Sequence, residues 1–357
     1  MKLAFYAPMK TPDDPMPSGD RTMARGILSA LEYAGVEVEL VSRLRSRDGA
    51  GDAAEQTRIM ETVKTEASRL IKTGRAAGWQ GWLTYHNYYK APDLLGPGVA
   101  RTLGIPYVQI ESTRARKRLA GPWAAFARCA EDATDSAQAI FHFTRRDAEA
   151  LLRDAPPQQH ILHLHPFLDR DELPRPSALS GPMLAVGMMR QGDKLASYDL
   201  IAAALQQLQP GWRLDIAGDG PARPQVERFM APFGDAVRFL GALDGTALQA
   251  AYSDAALLIW PGVNEAFGMV YLEAQAVGLP VVAQDRPGVR DVLAPGTYPS
   301  PEAGAPGLAA RLRHLLSDTK ARHDAGTEAA RHIARHHLRP VAARTLLDGL
   351  HRAGVAP

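Results

Sequence analysis

Two glutamates, Glu265 and Glu273, stand eight residues apart in the segment NEAFGMVYLEAQAVGLPVVA, Asn264 to Ala283. The apolar run AALLIW precedes this segment and PVVA closes it, so the pair falls between two strands. A helix starting near Phe267 would leave Glu265 in the preceding loop and carry Glu273 in its second turn. Phe267, Gly268, Met269 and Val270 would then form the helix N-terminus. Unpaired N–H groups at such a terminus suit an anion, and Gly268 would let it approach the backbone closely. Glu273 could accept two hydrogen bonds from a vicinal diol such as ribose. Without their surroundings, the same two residues are more simply the solvated glutamates of an amphipathic helix.

The elements that must hold these residues follow from the alternation along the chain. KLAFYA (Lys2 to Ala7) reads as a buried strand ended by Pro8, RTMARGILSALEYAG as a helix stopped at Gly35, and VEVELVS as a second strand. GWLTYH, IPYVQIES, AIFHFT and ILHLHPFLD (Ile161 to Asp169) are further strands, with helices between them. The proline-rich stretch DRDELPRPSALSGP reads as a linker. Alternation then restarts with MLAVGMM, WRLDIAG, VRFLG, AALLIW and PVVAQ. This predicts an α/β protein of two parallel-sheet domains facing a central cleft. The expected division is 1–172, a linker at 173–181, a second domain at 182–335 and a C-terminal helix at 336–357 that returns to the first. Ligands bind at the carboxyl ends of parallel strands, so the loops after strands are where chemistry is sought. His86 ends one such strand and Glu111 another.

Composition narrows the function classes. The 357 residues are 46% hydrophobic and 22% charged, which excludes a disordered or low-complexity chain. A net charge of +2 argues against a nucleic-acid binder. The single cysteine, Cys129, allows no intrachain disulfide and no cysteine-built metal site, and it fits a cytoplasmic setting. The N-terminal apolar run is too short for a signal peptide, and no stretch reaches the ~18 apolar residues of a membrane span. Its arginine- and alanine-rich composition suggests a bacterial source.

From Glu265 onward, E-A-F-G-M-V-Y-L-E-A-Q-A-V-G-L-P-V-V-A resembles the EX7E signature of retaining GT-B glycosyltransferases of the GT4 type. Ala266 stands where that signature has glycine. The resemblance extends through AVGMMRQGDK, LDIAGDGP, VRFLGAL and YSDAALLIWP, in order and spacing, over nearly the whole C-terminal half. Pro261-Gly262 replaces the usual Pro-Ser. It implies two Rossmann-like domains and metal-independent transfer of a hexosyl group, with retention, from a UDP- or GDP-linked sugar to a carbohydrate, lipid or small-molecule acceptor. No cofactor besides that co-substrate is expected. Arg190 and Lys194 match the basic pair that meets the donor diphosphate. Such cations stabilise a leaving group whose charge grows as the glycosidic bond breaks. Glu265 matches the glutamate near the donor sugar, Glu273 the ribose ligand, and Ala266 to Val270 the turn whose amides touch sugar and phosphate. Phe239-Leu240-Gly241 resembles the loop that reads the base.

The N-terminal half departs further from the family. Pro17-Ser18-Gly19-Asp20 stands in place of a glycine-rich loop, with Gly19 expected near the donor phosphates. Many relatives have a histidine where this chain has Glu111. A glutamate there would contact acceptor hydroxyls or take the acceptor proton, or else cap a helix or form an ion pair. His86 is either a packed histidine or an acceptor-side group, and Tyr85, Tyr88 and Tyr89 either stack on a sugar or fill the core. Asp169-Arg170-Asp171 spells a metal-binding D-x-D but lies in the linker. Arg114, Arg116, Lys117 and Arg118, followed by Leu119, Trp123 and Phe126, read as an interfacial membrane helix or as a solvated helical turn beside the acceptor. His332, His336 and His337 read as a solvated helix face. An epimerase of nucleotide sugars and a non-catalytic nucleotide-sugar binder are the alternative functions on this fold.

Overall fold

The structure is a computed structural model that describes residues 1–16 and 18–356. The chain divides into two compact units, one formed by Met1–His165 with Arg339–Pro357 and the other by Pro166–Leu338.

Unit one contains β1 (Lys2–Tyr6), α1 (Gly19–Tyr33), β2 (Glu37–Leu40), α2 (Ala53–Ala77), β3 (Gly81–Tyr85), α3 (Gly96–Leu103), β4 (Tyr107–Ile110), α4 (Ala124–Ser136), β5 (Ala139–His142), α5 (Arg145–Arg153) and β6 (His160–His163). Its strands are parallel, in spatial order β2-β1-β3-β4-β5-β6. Leu3 to Tyr6 in β1 and Trp82, Leu83 and Tyr85 in β3 are buried, as expected for parallel strands covered on both faces. α1 follows its apolar spacing, with Met23, Ala24, Ile27, Ala30 and Leu31 buried, and the Ser18 hydroxyl accepts from the Arg21 amide at 3.2 Å to cap it. Pro17 lies outside the described residues. Gly19 and Asp20 open the helix rather than belonging to a loop.

Unit two contains β7 (Met183–Val186), α6 (Asp193–Leu205), β8 (Leu214–Ala217), α7 (Arg223–Met230), β9 (Val237–Gly241), α8 (Gly245–Asp254), β10 (Leu257–Ile259), α9 (Met269–Ala276), β11 (Val281–Val282), α10 (Gly304–Ser317) and α11 (Thr319–His336). Its parallel sheet runs β11-β10-β7-β8-β9. The last helix, α12 (Arg339–Arg352), belongs to unit one and packs on α1, β5 and β6.

The unit boundary differs from the expected linker. Unit one ends at His165, and β6 stops at His163 rather than running to Asp169. The proline-rich stretch is fastened to unit two. The Leu168 amide donates to the His337 carbonyl at 2.8 Å, the Ser177 amide to Val277 at 2.9 Å, and Leu179 is buried. Composition mimics a linker here because prolines forbid strand pairing, not because the segment lacks packing.

His337, expected on a solvated face, is fully buried. Its Nδ1 donates to the Pro166 carbonyl at 2.6 Å, and its Nε2 shares a hydrogen bond with Nε2 of His332 at 3.1 Å. This arrangement cannot hold with both rings protonated, because one Nε2 must keep its lone pair. Burial, with His336 beside it, pushes His332 down to about 4. A depressed histidine stabilises the fold above its unfolded value near 6.5, and that contribution is lost as pH falls through about 4.

Two predictions follow from this packing. Unit two should lose urea resistance between pH 6.5 and 4, and His332→Gln, which keeps a donor but cannot titrate, should flatten that dependence. In unit one, a Cβ at Gly349 of α12 would run into the Phe141 ring and Leu162. Gly349→Val should therefore cost about 1–3 kcal/mol by urea unfolding.

Candidate functional site

In unit two the sheet order reverses between β7 and β10. The loops after these strands diverge there and leave a crevice at their carboxyl ends. Lys194, in the first turn of α6, and Glu265, in the loop after β10, form an ion pair in this crevice. The Trp260 indole N–H donates to the same Glu265 oxygen at 2.9 Å, and the Lys194 ammonium lies 5.3 Å from the Trp260 ring centre. Trp260 is itself buried and meets Tyr198 edge-on at 5.2 Å. Further bonds fix the Glu265 loop to α6: Asn264 Nδ2 donates to Asp193 at 2.9 Å and the Val263 amide to Ser197 at 3.2 Å. Arg190 is exposed in the loop after β7, four residues before Lys194, and pairs with no carboxylate among the described residues.

The helix carrying Glu273 starts at Met269, two residues later than Phe267. Gly268, at φ 80°, breaks the helical conformation and stands as its N-cap, with no side chain capping the first turn. Gly262 is also at positive φ, and a side chain at either glycine would meet Tyr271, which explains the departure from Pro-Ser. Ala266 is exposed and Phe267 half-buried ahead of this turn. Glu273 falls in the second turn, as its spacing requires. Its Oε2 accepts from the Tyr252 hydroxyl at 2.8 Å, and no described residue donates to Oε1. Burial pushes its carboxyl up, opposed by the Tyr252 hydroxyl and by the charge of Arg170. Phe239 and Leu240 lie in the edge strand β9, where the β8 register slips and the Arg223 guanidinium covers Phe239 at 5.8 Å.

Unit one has the same layout. Its sheet order reverses between β1 and β3, and the helix after β1 brings Asp20 to the histidine that ends β3. His86 Nδ1 is 3.2 Å from Asp20 Oδ1 and 3.6 Å from Glu111 Oε2. His86 and Glu111 each follow a strand directly and both have positive φ, 65° and 57°. Such a conformation in a non-glycine residue costs of order 1–3 kcal/mol and recurs at functional sites. Their amides still donate to Ile110 and Phe141 in the sheet ladder, so the turn reorients only the side chains. Burial opposes the imidazolium of His86, but the Glu111 and Asp20 carboxylates outweigh it and raise its pKa. Burial also raises Glu111, despite His86 and the Tyr85 hydroxyl, and its Oε2 is buried without a hydrogen bond. Asp20 is pushed up by burial and pulled down further by His86, and ends below the usual carboxylate range.

Three partners escaped the sequence reading: Asp20, Trp260 and Tyr252. The composition of the segments signals none of them: Asp20 meets a residue that follows another strand, Tyr252 reaches from α8 to α9, and Trp260, five residues before Glu265, reads as the end of an apolar run. Gly19 has open space at its Cβ. The basic run is a single 3-10 turn, Arg116–Arg118, rather than an interfacial helix, and Phe126 belongs to the core. Among the described residues no three histidine, cysteine or acidic side chains are grouped to hold a metal ion, and no helix is long and apolar enough to cross a membrane.

Residues 182–318 match the family model of glycosyl transferases group 1. Unit two carries a group 1 glycosyltransferase domain. Alpha-D-kanosaminyltransferase of Streptomyces kanamyceticus is 28% identical to the chain over 259 residues, covering 65% of this chain and 67% of that protein. The matches span about a quarter to two thirds of the length of the first curated relatives. Sucrose-phosphate synthase from Thermosynechococcus elongatus shares the fold with a TM-score of 0.71, at 18% identity and 98% coverage of both chains. The Anabaena protein HepE in complex with UDP and glucose gives 0.69 at 17% identity, over 98% of this chain and 99% of its own. The fold is therefore GT-B, with the glycosyltransferase domain in its second unit.

His86 should titrate above 6.5 in an NMR pH series, and Asp20→Asn should lower that value. Because the folded value is raised, this contribution to stability is full below about pH 6.5 and fades as pH rises through the folded value.

Proposed function

We propose that the protein is a retaining glycosyltransferase that moves a hexosyl group from a UDP- or GDP-linked sugar to a hydroxyl acceptor, with the diphosphate charge met by protein cations. The observation that carries this reading is the Lys194–Glu265–Trp260 arrangement at the switch point of the group 1 domain. Lys194 and Glu265 neutralise each other in the structure, and Trp260 grips the carboxylate independently. A diphosphate entering beside Lys194 and Arg190 would draw the ammonium toward itself, while the indole keeps Glu265 in place for a sugar hydroxyl. Glu273 would hold the ribose diol through Oε1, with Oε2 fixed by Tyr252. The amides at Met269 and Val270 lie at a helix start that no side chain caps, open to the donor.

In the transfer, the bond from the sugar's anomeric carbon to the phosphate oxygen breaks, with its electron pair leaving on the diphosphate. The acceptor oxygen bonds to the same carbon from the same face, and its proton passes to the departing phosphate oxygen. Arg190 and Lys194 favour this step because the charge they meet is larger in the transition state than in the bound donor. We assign acceptor contact in unit one to His86 and Glu111, with Asp20 orienting the imidazole. The resemblance to GT4 signatures and the name of the kanosaminyl relative, which specifies an α-sugar, support retention.

The test is a panel of UDP-, GDP- and ADP-sugars, with product anomers read by NMR. Glu265→Ala and Lys194→Ala should each lower transfer by about 10²–10³-fold while circular dichroism stays that of the parent. Full activity in either variant would overturn the assignment. Epimerised sugar formed without an acceptor would point to an epimerase instead.

A further inference from the structure

The carboxyl edge of unit one carries a second polar arrangement, separate from the His86 cluster but joined to it through aromatic rings. His86 and Tyr88 have ring centres 5.1 Å apart, Tyr88 and Tyr89 5.6 Å, and Tyr89 and Trp123 5.8 Å. Two cations converge on the last pair. The Lys90 ammonium lies 5.8 Å from the Tyr89 ring centre and 5.1 Å from that of Trp123, and the Arg118 guanidinium lies 5.2 and 5.5 Å from the same two. One cation stacked on an aromatic ring is commonplace. Two on one ring pair repel each other unless something negative lies between them.

No carboxylate of the described residues does this. Neighbouring members of the basic run are neutralised, Arg114 by Glu131 and Asp135 and Arg116 by Asp154. Lys90 and Arg118 pair with no acid among the described residues. Asp48, whose carbonyl receives the Trp123 indole N–H at 3.1 Å, turns its carboxylate to the amides of Ala50 and Gly51 and to Gln56. The Nε of Arg118 is buried and donates to nothing. The rings are held firmly, but the charges they carry are unmatched.

We propose that Lys90 and Arg118 bind a phosphate group on the acceptor, with the sugar or polyol part lying along Tyr89 and Tyr88 toward His86. The proposal rests on the glycosyl-transfer reading and names its acceptor class. Two unmatched cations suit the ≈ −1.5 to −2 charge of a phosphomonoester better than the single charge of a carboxylate. A guanidinium offers phosphate charge-assisted hydrogen bonds from a planar fork, and that of Arg118 is engaged by no carboxylate of the described residues. Soluble sugar phosphates and phosphate-bearing lipid headgroups share this chemistry.

The test compares the full chain with the double variant Lys90→Gln/Arg118→Gln. Calorimetric titration with glucose 6-phosphate and with glucose covers the soluble source. Sedimentation with vesicles of phosphatidylcholine containing phosphatidate covers the lipid source. Any phosphate binding at Arg190 and Lys194 is common to both proteins and cancels in the comparison. An affinity for the phosphorylated probe that falls about tenfold or more in the double variant, in either arm, supports the site. Equal binding by the two proteins in both arms overturns it. Should transfer be measurable, the loss should fall in KM for phosphorylated acceptors rather than in kcat. Phosphate binding that depends on Lys90 and Arg118 in a chain that transfers nothing would leave the site standing and remove the transferase reading. Transfer at parental KM to phosphorylated acceptors by the variant would do the opposite.

Discussion

A parallel sheet buried on both faces has one place where its order of strands reverses, and there alone the loops diverge enough to admit a ligand. Both units obey this constraint. In unit two the reversal lies between β7 and β10, and the loops after them supply Lys194 and Glu265. In unit one it lies between β1 and β3, whose following segments supply Asp20 and His86. The ion-paired clusters Lys194–Glu265 and Asp20–His86–Glu111 are gathered at those two points because the strands themselves are occupied by core. The interior of β3 shows the rule: even its Thr84 hydroxyl is buried, donating at 2.5 Å to the buried Asp93 in the connection to α3.

The two switch points are charged differently. Unit two pairs one cation with one anion and adds an unpaired Arg190, so it is ready for a ligand with more negative charge than its own glutamate. Unit one places two carboxylates around one imidazole, and burial sets them against each other. Glu111 is pushed toward its neutral form, while Asp20 and His86 are drawn toward their charged ones. Such divergence among neighbouring groups is what acid–base work near neutrality requires. An ion pair of purely structural worth would not need two of its three groups, His86 and Glu111, held at strained backbone positions.

Much of unit two was legible in the sequence because its chemistry is local. Glu265, Gly268 and Glu273 belong to one loop and one helix, and eight residues of spacing carry both carboxylates to their places. Lys194 was legible from its position just after a strand. The indole of Trp260 was not: AALLIW reads as six apolar residues, and only the fold turns its N–H toward Glu265. Tyr252 was hidden in the same way, as an ordinary aromatic residue on α8. The start of α9 slipped by two residues because a glycine at positive φ does not announce whether it lies inside a helix or just before it.

Unit one was less legible because its cluster is assembled from the segments that follow three different strands. Nothing between residues 20 and 111 in sequence ties Asp20 to Glu111. The parallel register does so, setting Phe5 beside Leu83 and Leu83 beside Val108. This also gives meaning to the departure at Glu111, where many relatives of the GT4 type have histidine. The imidazole is not missing from this end of the sheet but comes from the neighbouring strand, 3.6 Å from the carboxylate that took its place. A lone histidine would be governed by burial, which favours the neutral ring. A histidine between two carboxylates is governed by them, and holds its proton to higher pH. Moving the ring by one strand therefore changes its charge state: it is held in its protonated, donating form to higher pH than a lone buried ring would be.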